Sequence, residues 1–461
     1  MGIFMARKKS LLGCAEFQHN VRLSRRGFLK AGALGVGGLS LADLFRLEAQ
    51  GAPIHQDRSV IILWMRGGPS QHETWDPKPL APSDYRGAFG ATSTNVPGIQ
   101  IVDLLPNCAK IMDKWSIIRS LHHTNAGHSA GDQILFTGHP PGTNPNENVY
   151  PSCGSIVSEQ LGRQTPELPP YVMIPRQVPG TGSAYLGVAN KPFETLVDPG
   201  TKGPFNLQNF SLVDGISTNR FDGRKTLLQG FDKMRADIDG SGQMEAISKF
   251  HQQAYNILSS DKARDAFNLD AEPKSVRERY GFMPRYDPGV PTRCSAAAFS
   301  QRLLLARRLV EAGVKLVTVD CRWWDTHVDG VDSMVNGFLP RWDQCYPALI
   351  QDLDERGLLD STMVIAWGEF GRTPKVNNNR GRDHYPSVFS AALAGGPVQG
   401  GRVVGSSDSK GAFPLDNPKS PQDVLATMYR FLGIDVDKHY LDHAGRPIQT
   451  LPFGKPIDEL T

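Results

Sequence analysis

Residues 363–374 of the chain read Met363-Val-Ile-Ala-Trp-Gly-Glu-Phe-Gly-Arg-Thr-Pro374, and Asn377-Asn-Asn-Arg-Gly-Arg-Asp-His-Tyr-Pro386 follows shortly after. The first four residues are apolar, which predicts a buried strand that ends near Gly368. The sequence then turns polar, and the next sixteen residues include Glu369, Arg372, Lys375, Arg382, Asp383 and His384. Ligands of open α/β sheets bind beyond the carboxyl ends of the strands, so this loop is a candidate site.

Three side chains of this loop are suited to binding a metal ion. Glu369 and Asp383 offer carboxylate oxygens, and His384 offers an imidazole nitrogen. The alternative is a solvated loop with an ordinary ion pair, but its glycines and prolines indicate a more specific shape. We therefore expect a divalent metal ion as cofactor, with zinc, calcium and manganese all open.

Composition indicates a globular chain rather than a nucleic-acid-binding one. The 461 residues suffice for one large α/β domain or two ordinary ones. Hydrophobic residues make up 39% and charged residues 21%, and the net charge is only +3, without a dense basic block. The six cysteines contain no Cys-x-x-Cys pair, which argues against a zinc ribbon or a redox motif.

The amino terminus predicts export. Residues 24–30 read Ser-Arg-Arg-Gly-Phe-Leu-Lys and precede an uncharged, mildly apolar run, the pattern of a twin-arginine signal. That run is too short and too glycine-rich to predict a membrane span. We expect residues 1–51 to form the signal and processing region, the protein to be periplasmic or secreted, and the twin-arginine export machinery to be a partner.

The remaining chain alternates apolar strands with helices, which predicts one α/β domain over residues 52–461. We expect a doubly wound, mixed and mostly parallel sheet with helices on both faces and long loop insertions. Predicted strands cover 60–65, 116–119, 171–174, 315–319, 363–366 and 388–394. Predicted helices cover 104–114, 225–237, 244–258, 261–268, 296–312, 334–356 and 422–432. Residues 140–225 are predicted to be mainly loops.

Polar residues also follow two other predicted strands. After the strand at 60–65 come Arg66, two glycines, and then Ser70, His72 and Asp76. After the strand at 315–319 come Asp325 and His327, a second pair of candidate ligands. We expect His72 to bind metal or substrate, and we expect His327 and His384 to share one ion.

A histidine-rich segment precedes a further predicted helix. Residues 122–139 carry four histidines, and a helix is expected to open after Asn125 and end at Gly138. His128 and Ser129 lie at its start, where a nucleophile and its activating base could be placed. His122 and His139 are expected on the surface.

Taken together, these motifs resemble the domain of unknown function 1501 family, which looks like a distant branch of the alkaline phosphatase and sulfatase superfamily. The resemblance covers nearly the whole chain. It is carried by Gly67-Gly68, Gly127-His128, Thr137-Gly138, residues 306–314, Trp324-Asp-Thr-His327, Trp367-Gly-Glu-Phe-Gly-Arg372 and Gly381-Arg-Asp-His384.

The resemblance implies an alkaline phosphatase-like fold and two metal sites that flank a nucleophile. Asp325, His327 and His384 are similar to the ligands of one such site. The chain departs from the superfamily at three places. Arg66-Gly67 replaces a ligand Asp, Phe370 follows Glu369 where a His is usual, and His128 stands at the nucleophile position, next to Ser129.

The resemblance implies an exported metal-dependent hydrolase of phosphate or sulfate esters. A small anionic ester, or a sulfated or phosphorylated glycan, would be its substrate, and Arg66, Arg372 or Arg382 would bind the anion. Attack would come from Ser129, from His128 itself taking the phosphoryl group, or from a metal-bound water. We expect His128 to act as ligand or base and Ser129 chiefly to cap its helix.

The alternative function is a non-catalytic binding or surface-assembly protein that retains a metal for stability. The absence of a hydroxyl or thiol at position 128 favours this alternative, and the dense polar loops oppose it.

Overall fold

The computed structural model describes residues 58–164, 166–201, 205, 256 and 260–461. The predicted signal and processing region, residues 1–51, and the predicted helix 225–237 lie outside the described residues. The predicted helix 244–258 does so too, apart from residue 256.

An eight-stranded sheet organises the described chain. In chain order its strands are β1 (Ser59–Trp64), β2 (Trp115–Leu121), β3 (Tyr171–Ile174), β4 (Phe193–Glu194), β5 (Leu316–Asp320), β6 (Thr362–Trp367), β7 (Phe389–Ala394) and β8 (Val403–Val404). Their order across the sheet is β8-β2-β7-β6-β1-β5-β3-β4. Only β7 runs antiparallel to its neighbours; the other pairs are parallel. The prediction of a mixed, mostly parallel sheet is confirmed.

Helices cover both faces of the sheet because its central strands are apolar on both sides. All six residues of β1 are buried. Ile61 and Leu63 belong to one hydrophobic cluster, whereas Val60, Ile62 and Trp64 belong to another. Alternate residues of a strand point to opposite faces, so these two clusters are the two layers of the core.

Seven helices of seven residues or more occur among the described residues. They are α1 (His128–Thr137), α2 (Cys153–Leu161), α3 (Asp261–Phe267), α4 (Lys274–Tyr280), α5 (Ser300–Ala312), α6 (Leu339–Glu355) and α7 (Pro421–Leu432). Apolar residues of α3, α5 and α6 belong to the first cluster, and those of α1, α2 and α7 belong to the second. The predicted doubly wound arrangement is thereby confirmed.

Shorter elements shape the loops. Short helical segments are Ser83–Arg86, Pro106–Ala109, Met112–Lys114, Gly162–Gln164, Ala184–Leu186, Val188–Asn190, Leu269–Ala271, Gly330–Asp332, Ser333–Phe338, Leu359–Ser361 and Asp458–Leu460. Two-stranded ribbons pair Ala91–Ser93 with Gln100–Val102, Gly371–Arg372 with His384–Tyr385, Ser406–Ser407 with Pro414–Asp416, and His439–Leu441 with Pro447–Gln449.

Two predictions of local structure are wrong. The helix expected at 104–114 is interrupted and exists only as Pro106–Ala109 and Met112–Lys114. The segment expected to be mainly loop after residue 140 contains α2, which the hydroxyl of Ser152 caps by accepting from the backbone N–H of Ser155. The helix is stabilised because Ile156, Val157 and Leu161 pack against the sheet. The polar residues on either side of it in the sequence do not indicate this tertiary packing.

In the described part of the chain, none of the helices combines the length and apolar composition needed to cross a lipid bilayer.

Candidate metal centre

The strand ends that carry the candidate ligands lie at one edge of the sheet. Strands β6, β1 and β5 are adjacent and parallel, and Trp64 of β1 is in register with Trp367 of β6 and Asp320 of β5. Strand β2 runs in the same direction, because both β2 and β6 are antiparallel to β7. The chain segments that follow these four strands therefore converge, as the sequence predicts for three of them.

Glu369 follows β6 and anchors the start of α1. Its side chain is fully buried, and Oε1 accepts a hydrogen bond from the backbone N–H of Gly67 at 2.8 Å. The same carboxylate oxygen lies 2.5 Å from Nδ1 of His128. An ionised carboxylate only accepts hydrogen bonds, so Nδ1 of His128 carries the proton and Nε2 is left to face the cluster.

The other two histidines are held in the same way. Nδ1 of His327 lies 2.7 Å from a carboxylate oxygen of Asp383, and Nδ1 of His384 donates to the carbonyl oxygen of Ala126 at 2.7 Å. Each imidazole therefore has its Nδ1 proton committed to an acceptor of the protein. The Nε2 atoms of both rings are 3.0 Å apart.

All three Nε2 atoms surround the carboxylate of Asp325. The distances to its oxygens are 3.4 Å from His128, 3.1 Å from His327 and 3.0 Å from His384. One donor atom from each of His128, Asp325 and His384 lies within 4.8 Å of the others. These side chains are partly exposed, so a solute can reach them.

The pKa values show how strongly these groups interact. Burial lowers the pKa of His128, but hydrogen bonds to Asp325 and Glu369 outweigh it and raise the pKa to about 9. Burial raises the pKa of Asp325, but its contacts with the three histidines and Arg372 hold that pKa well below its usual range. The hydrogen bond to Asp325 is also the main cause of the raised pKa of His327.

This donor set fits a divalent metal ion. When the Nε2 protons leave, three imidazole lone pairs and a carboxylate are available in the same region, and a divalent cation can take the place of those protons. Imidazole nitrogen and carboxylate oxygen are ligands of zinc and manganese, and calcium is disfavoured because it prefers oxygen ligands. His128, Asp325 and His384 could thus hold an ion together, and Nε2 of His327 lies within 3.1 Å of Asp325 and 3.0 Å of His384. These four residues are called the metal-ligand cluster below.

Arg372 lies at the centre but is not free to bind an anion. Its side chain is fully buried. The guanidinium donates to the carbonyl oxygens of Gly67, Gly68 and Arg382 and to the carboxylate of Asp325. Arg372 thus joins the loops after β1, β5 and β6, and its position supports a positioning role instead of the predicted catalytic one.

Arg382, the other predicted anion-binding arginine of this loop, is likewise buried. Its guanidinium donates hydrogen bonds to the carboxylate of Glu73 and to the carbonyl oxygens of Thr373, Pro374 and Tyr85, so it is not free to bind an anion.

Arg66 is the arginine that remains available. Its Nε donates to the buried carboxylate of Asp132 at 2.8 Å, and its guanidinium lies over the ring of Trp323 at 4.4 Å. Within the described residues, its terminal nitrogens make no hydrogen bond. Trp323 also meets the ring of His128 edge-on, with centroids 5.5 Å apart, so Arg66 borders the metal-ligand cluster.

Two predicted site residues lie elsewhere. The hydroxyl of Ser129 donates to the side chain of Asn146, and Gly127 is the N-cap of α1, so the prediction that Ser129 caps the helix is wrong. His72 is buried, its Nε2 lies 2.8 Å from the carbonyl oxygen of Lys410, and burial lowers its pKa to about 4. The structure does not bring His72 to the metal-ligand cluster.

The expected surface position of His139 is also wrong. Its ring is buried and stacks on Tyr150 with a centroid distance of 4.2 Å. The aromatic partner lies eleven positions away, a pairing that no local pattern indicates.

Sequence reasoning missed three residues of the site. Asp132 pairs with Arg66, Trp323 packs on His128, and Nε2 of His123 lies 2.6 Å from the carbonyl oxygen of Glu369. A signal existed for Asp132, because a carboxylate precedes the apolar run Ile134-Leu-Phe136 within the same helix. No comparable signal marked Trp323 or His123.

The model of a protein family described as Protein of unknown function (DUF1501) matches residues 57–461, nearly all of the chain. The chain belongs to the DUF1501 family. The resemblance inferred from the motifs is confirmed, and the matched range contains every residue of the metal-ligand cluster. No curated protein matches the chain.

This DUF1501 protein is also similar to solved structures. The PsFucS1 sulfatase from Pseudoalteromonas sp. is 12% identical, with 92% of this chain and 75% of that chain covered and a TM-score of 0.36. The phosphonate monoester hydrolase SpPMH from Silicibacter pomeroyi is 12% identical, with 87% and 76% covered and a TM-score of 0.35. The lipoteichoic acid synthase LtaP from Listeria monocytogenes is 10% identical, with 83% and 74% covered and a TM-score of 0.34.

Proposed function

We propose that this DUF1501 protein is an exported, metal-dependent hydrolase of phosphate or sulfate esters. One observation carries the proposal: three imidazole Nε2 atoms and the carboxylate of Asp325 converge, while every Nδ1 is held by a protein acceptor. Held histidines of this kind are typical of metal ligands, because the second hydrogen bond sets the tautomer and the ring orientation.

The chemistry of ester hydrolysis would be divided among these groups. His128, Asp325 and His384, with His327 beside them, would hold a divalent ion, which would supply Lewis-acid polarisation of an ester oxygen. Arg66 borders the centre and has unbonded terminal nitrogens, so it can bind the anionic ester in a bidentate manner. Glu369 keeps the proton of His128 on Nδ1 and thereby leaves Nε2 available to the metal centre.

The surroundings of Ser129 favour attack by water over a covalent route. Its hydroxyl is engaged with Asn146, at 2.8 Å, and His128 is engaged with Glu369 and Asp325. Neither contact pairs Ser129 with a base. A small anionic ester, or a sulfated or phosphorylated glycan, would be the substrate.

The alternative is a non-catalytic binding or surface-assembly protein on the same scaffold. It is favoured by the imidazole at position 128, where the resemblance predicts a nucleophile, and by the engagement of both His128 and Ser129 in contacts within the protein. In that case the metal would contribute to stability alone.

The deciding experiment combines metal analysis with an activity assay. Purified protein is analysed for bound metal and assayed with 4-nitrophenyl phosphate and 4-nitrophenyl sulfate after addition of zinc or manganese. Bound metal with turnover supports the hydrolase. Bound metal without turnover of any ester supports the binding protein, and the absence of metal binding contradicts both.

The variant His384→Ala tests the centre directly, because it removes one converging Nε2 atom. We expect the metal-to-protein ratio to fall and the melting temperature in the presence of metal to fall with it, since binding free energy adds to folding free energy. His439→Ala removes an exposed histidine of the carboxyl-terminal ribbon and serves as control. An unchanged metal-to-protein ratio in His384→Ala would falsify the centre.

A further inference from the structure

A cavity of about 1010 Å³ lies next to the metal-ligand cluster. Trp323 connects the two, because it lines the cavity and its ring meets that of His128. The same side of the cavity is lined by Asp320, at the end of strand β5, and by Arg322 in the loop that follows. The segment between α4 and α5 forms another part of the lining.

The lining is positively charged. It contains the four arginines Arg277, Arg285, Arg302 and Arg322 and only two aspartates, Asp198 and Asp320. Arg277 is paired with Asp270 outside the lining, so Arg285 is the arginine left without a carboxylate partner among the described residues. Both oxygens of Asp198 are engaged by Arg302, and Asp320 is engaged by Nε of Arg322. The carboxylates of the lining are therefore already paired.

Two of these arginines have guanidinium nitrogens that make no hydrogen bond among the described residues. Arg285 is exposed and makes a single hydrogen bond, from its guanidinium to the hydroxyl of Ser295 at 3.1 Å; it has no carboxylate partner among the described residues. Arg322 uses Nε for Asp320 and lies over Trp323 at 5.3 Å, and its terminal nitrogens make no hydrogen bond within the described chain. Guanidinium nitrogens that make no hydrogen bond within the protein are suited to binding an anion, and Arg285 offers them without a carboxylate partner, whereas Arg322 offers only its terminal nitrogens.

The size of the cavity argues for a large ligand. A single phosphate or sulfate group, bound at the metal-ligand cluster, would leave this space unused, and ligand sites of about 1,000 Å³ are at the upper end of those that take small molecules. Phe282 and Met283 add apolar surface to the lining. A ring-containing molecule of about disaccharide size matches both the volume and the mixed lining.

We propose that this cavity binds the non-reacting part of the substrate, and that this part carries a second anionic group recognised by Arg285 and Arg322. The inference rests on the proposed hydrolase function, since it assigns the reacting ester to the metal centre. The substrate class is then an ester of a multiply anionic, saccharide-sized molecule.

Uncleavable probes test the cavity separately from the reaction. Disaccharides with one or two sulfonate groups keep the negative charges, and their C–S bonds are not hydrolysed. Titration calorimetry on the metal-loaded full chain should give about tenfold tighter binding of the bis-sulfonated probe, the size of one charge-assisted hydrogen bond. The double variant Arg285→Ala with Arg322→Gln should bind the mono- and bis-sulfonated probes with similar affinity. The control Arg86→Ala removes an exposed arginine outside the lining and should keep the wild-type preference.

The outcomes separate the cavity from the hydrolase. Equal affinity of the wild type for both probes, or an unchanged preference in the double variant, overturns the second anion site. If the double variant fails to fold, Arg285→Ala alone decides, because its side chain is exposed. If the wild type prefers the bis-sulfonated probe but turns over no ester, the second anion site is supported and the hydrolase function is contradicted. If it turns over an ester but shows no preference, the hydrolase function is supported and the second anion site is contradicted.

Discussion

The tautomers of the three histidines determine what the centre can bind. At His128, His327 and His384 the protein holds Nδ1 with Glu369, Asp383 and the Ala126 carbonyl respectively. Of these acceptors Glu369 is the fully buried carboxylate, and it also accepts from the backbone of Gly67. Its energetic effect should be larger than that of the exposed Asp383, because a buried charge is screened less.

The variant Glu369→Gln should weaken metal binding by about 10–100-fold. A glutamine would keep one acceptor for Gly67 and place an amide donor opposite Nδ1 of His128. The proton of His128 would then move to Nε2, where it blocks the metal. Metal affinity is measured by competition with a chromogenic chelator.

Two controls accompany this variant. Asp383→Asn applies the same exchange at the exposed carboxylate and should weaken metal binding less. Thermal melting of metal-free Glu369→Gln shows whether the fold is intact. Equal metal affinity in Glu369→Gln and wild type would show that the carboxylate does not set the tautomer.

His128 and Ser129 are neighbours whose substitutions should differ sharply. His128→Ala removes an Nε2 atom of the cluster and should reduce ester hydrolysis by at least about a hundredfold. Ser129→Ala removes only a hydrogen bond to Asn146 and should change the rate by no more than a few-fold. Initial rates on the ester that the wild type turns over measure both.

An intermediate assay completes this comparison. Without a serine nucleophile, rapid-quench experiments should trap no covalent phospho- or sulfo-enzyme. An equal or larger loss in Ser129→Ala, or a trapped adduct on Ser129, would restore the hydroxyl nucleophile.

At the scale of elements, the loops after β1 and β5 touch through a glycine. Gly67 has a φ of +107°, and a Cβ atom built there would lie 2.5 Å from the backbone nitrogen of Trp324 and 2.7 Å from that of Asp325. The backbone of Gly67 also donates to Glu369, and its carbonyl accepts from Arg372. Only a residue without a side chain permits this approach, which brings Asp325 to the histidines.

Gly67→Ala should therefore destabilise the protein and displace Asp325. Gly98→Ala is the matched control, because Gly98 has a φ of +84° with no atom near the added methyl group. We expect Gly98→Ala to cost about 1 kcal/mol through backbone strain alone, and Gly67→Ala about 3–4 kcal/mol through strain and steric conflict together. Denaturant unfolding of metal-free protein gives both values.

The same pair of variants reports on the metal centre. Gly67→Ala should lower the metal affinity, and Gly98→Ala should leave it at the wild-type value. Similar unfolding free energies for the two variants would mean that the loop after β5 yields to the added methyl group.

For the whole molecule, the twin-arginine pattern predicts the compartment in which the site works. Arg25→Lys with Arg26→Lys should leave full-length precursor in the cytoplasm, because the export machinery reads the arginine pair. Immunoblots of fractionated cells measure the distribution. Arg7→Lys with Arg22→Lys makes the same exchange outside the pair and should be exported; export of the Arg25/Arg26 variant to the same extent would refute the signal.

Much of the fold could be predicted from the sequence because its signals are local. The apolar runs around Val60, Leu316 and Met363 mark strands buried on both sides, and their alternation with amphipathic helices indicates a mostly parallel sheet. Parallel strands have their carboxyl ends at one edge, so the convergence of Asp325 with the loop after Glu369 also follows from sequence.

What each polar residue does was decided by tertiary contacts, which have no local signature. Glu369 was predicted as a ligand but lies behind His128, and Arg372 was predicted to bind substrate but joins three loops. Both side chains have a hydrogen-bond partner about 300 residues away in the sequence: Gly67 donates its N–H to Glu369, and its carbonyl oxygen accepts from Arg372. The sequence by itself determined which strands are followed by potential ligands at the sheet edge. The tertiary structure decided which atoms of these residues face one another, because their contacts depend on loops that are distant in sequence and close in space.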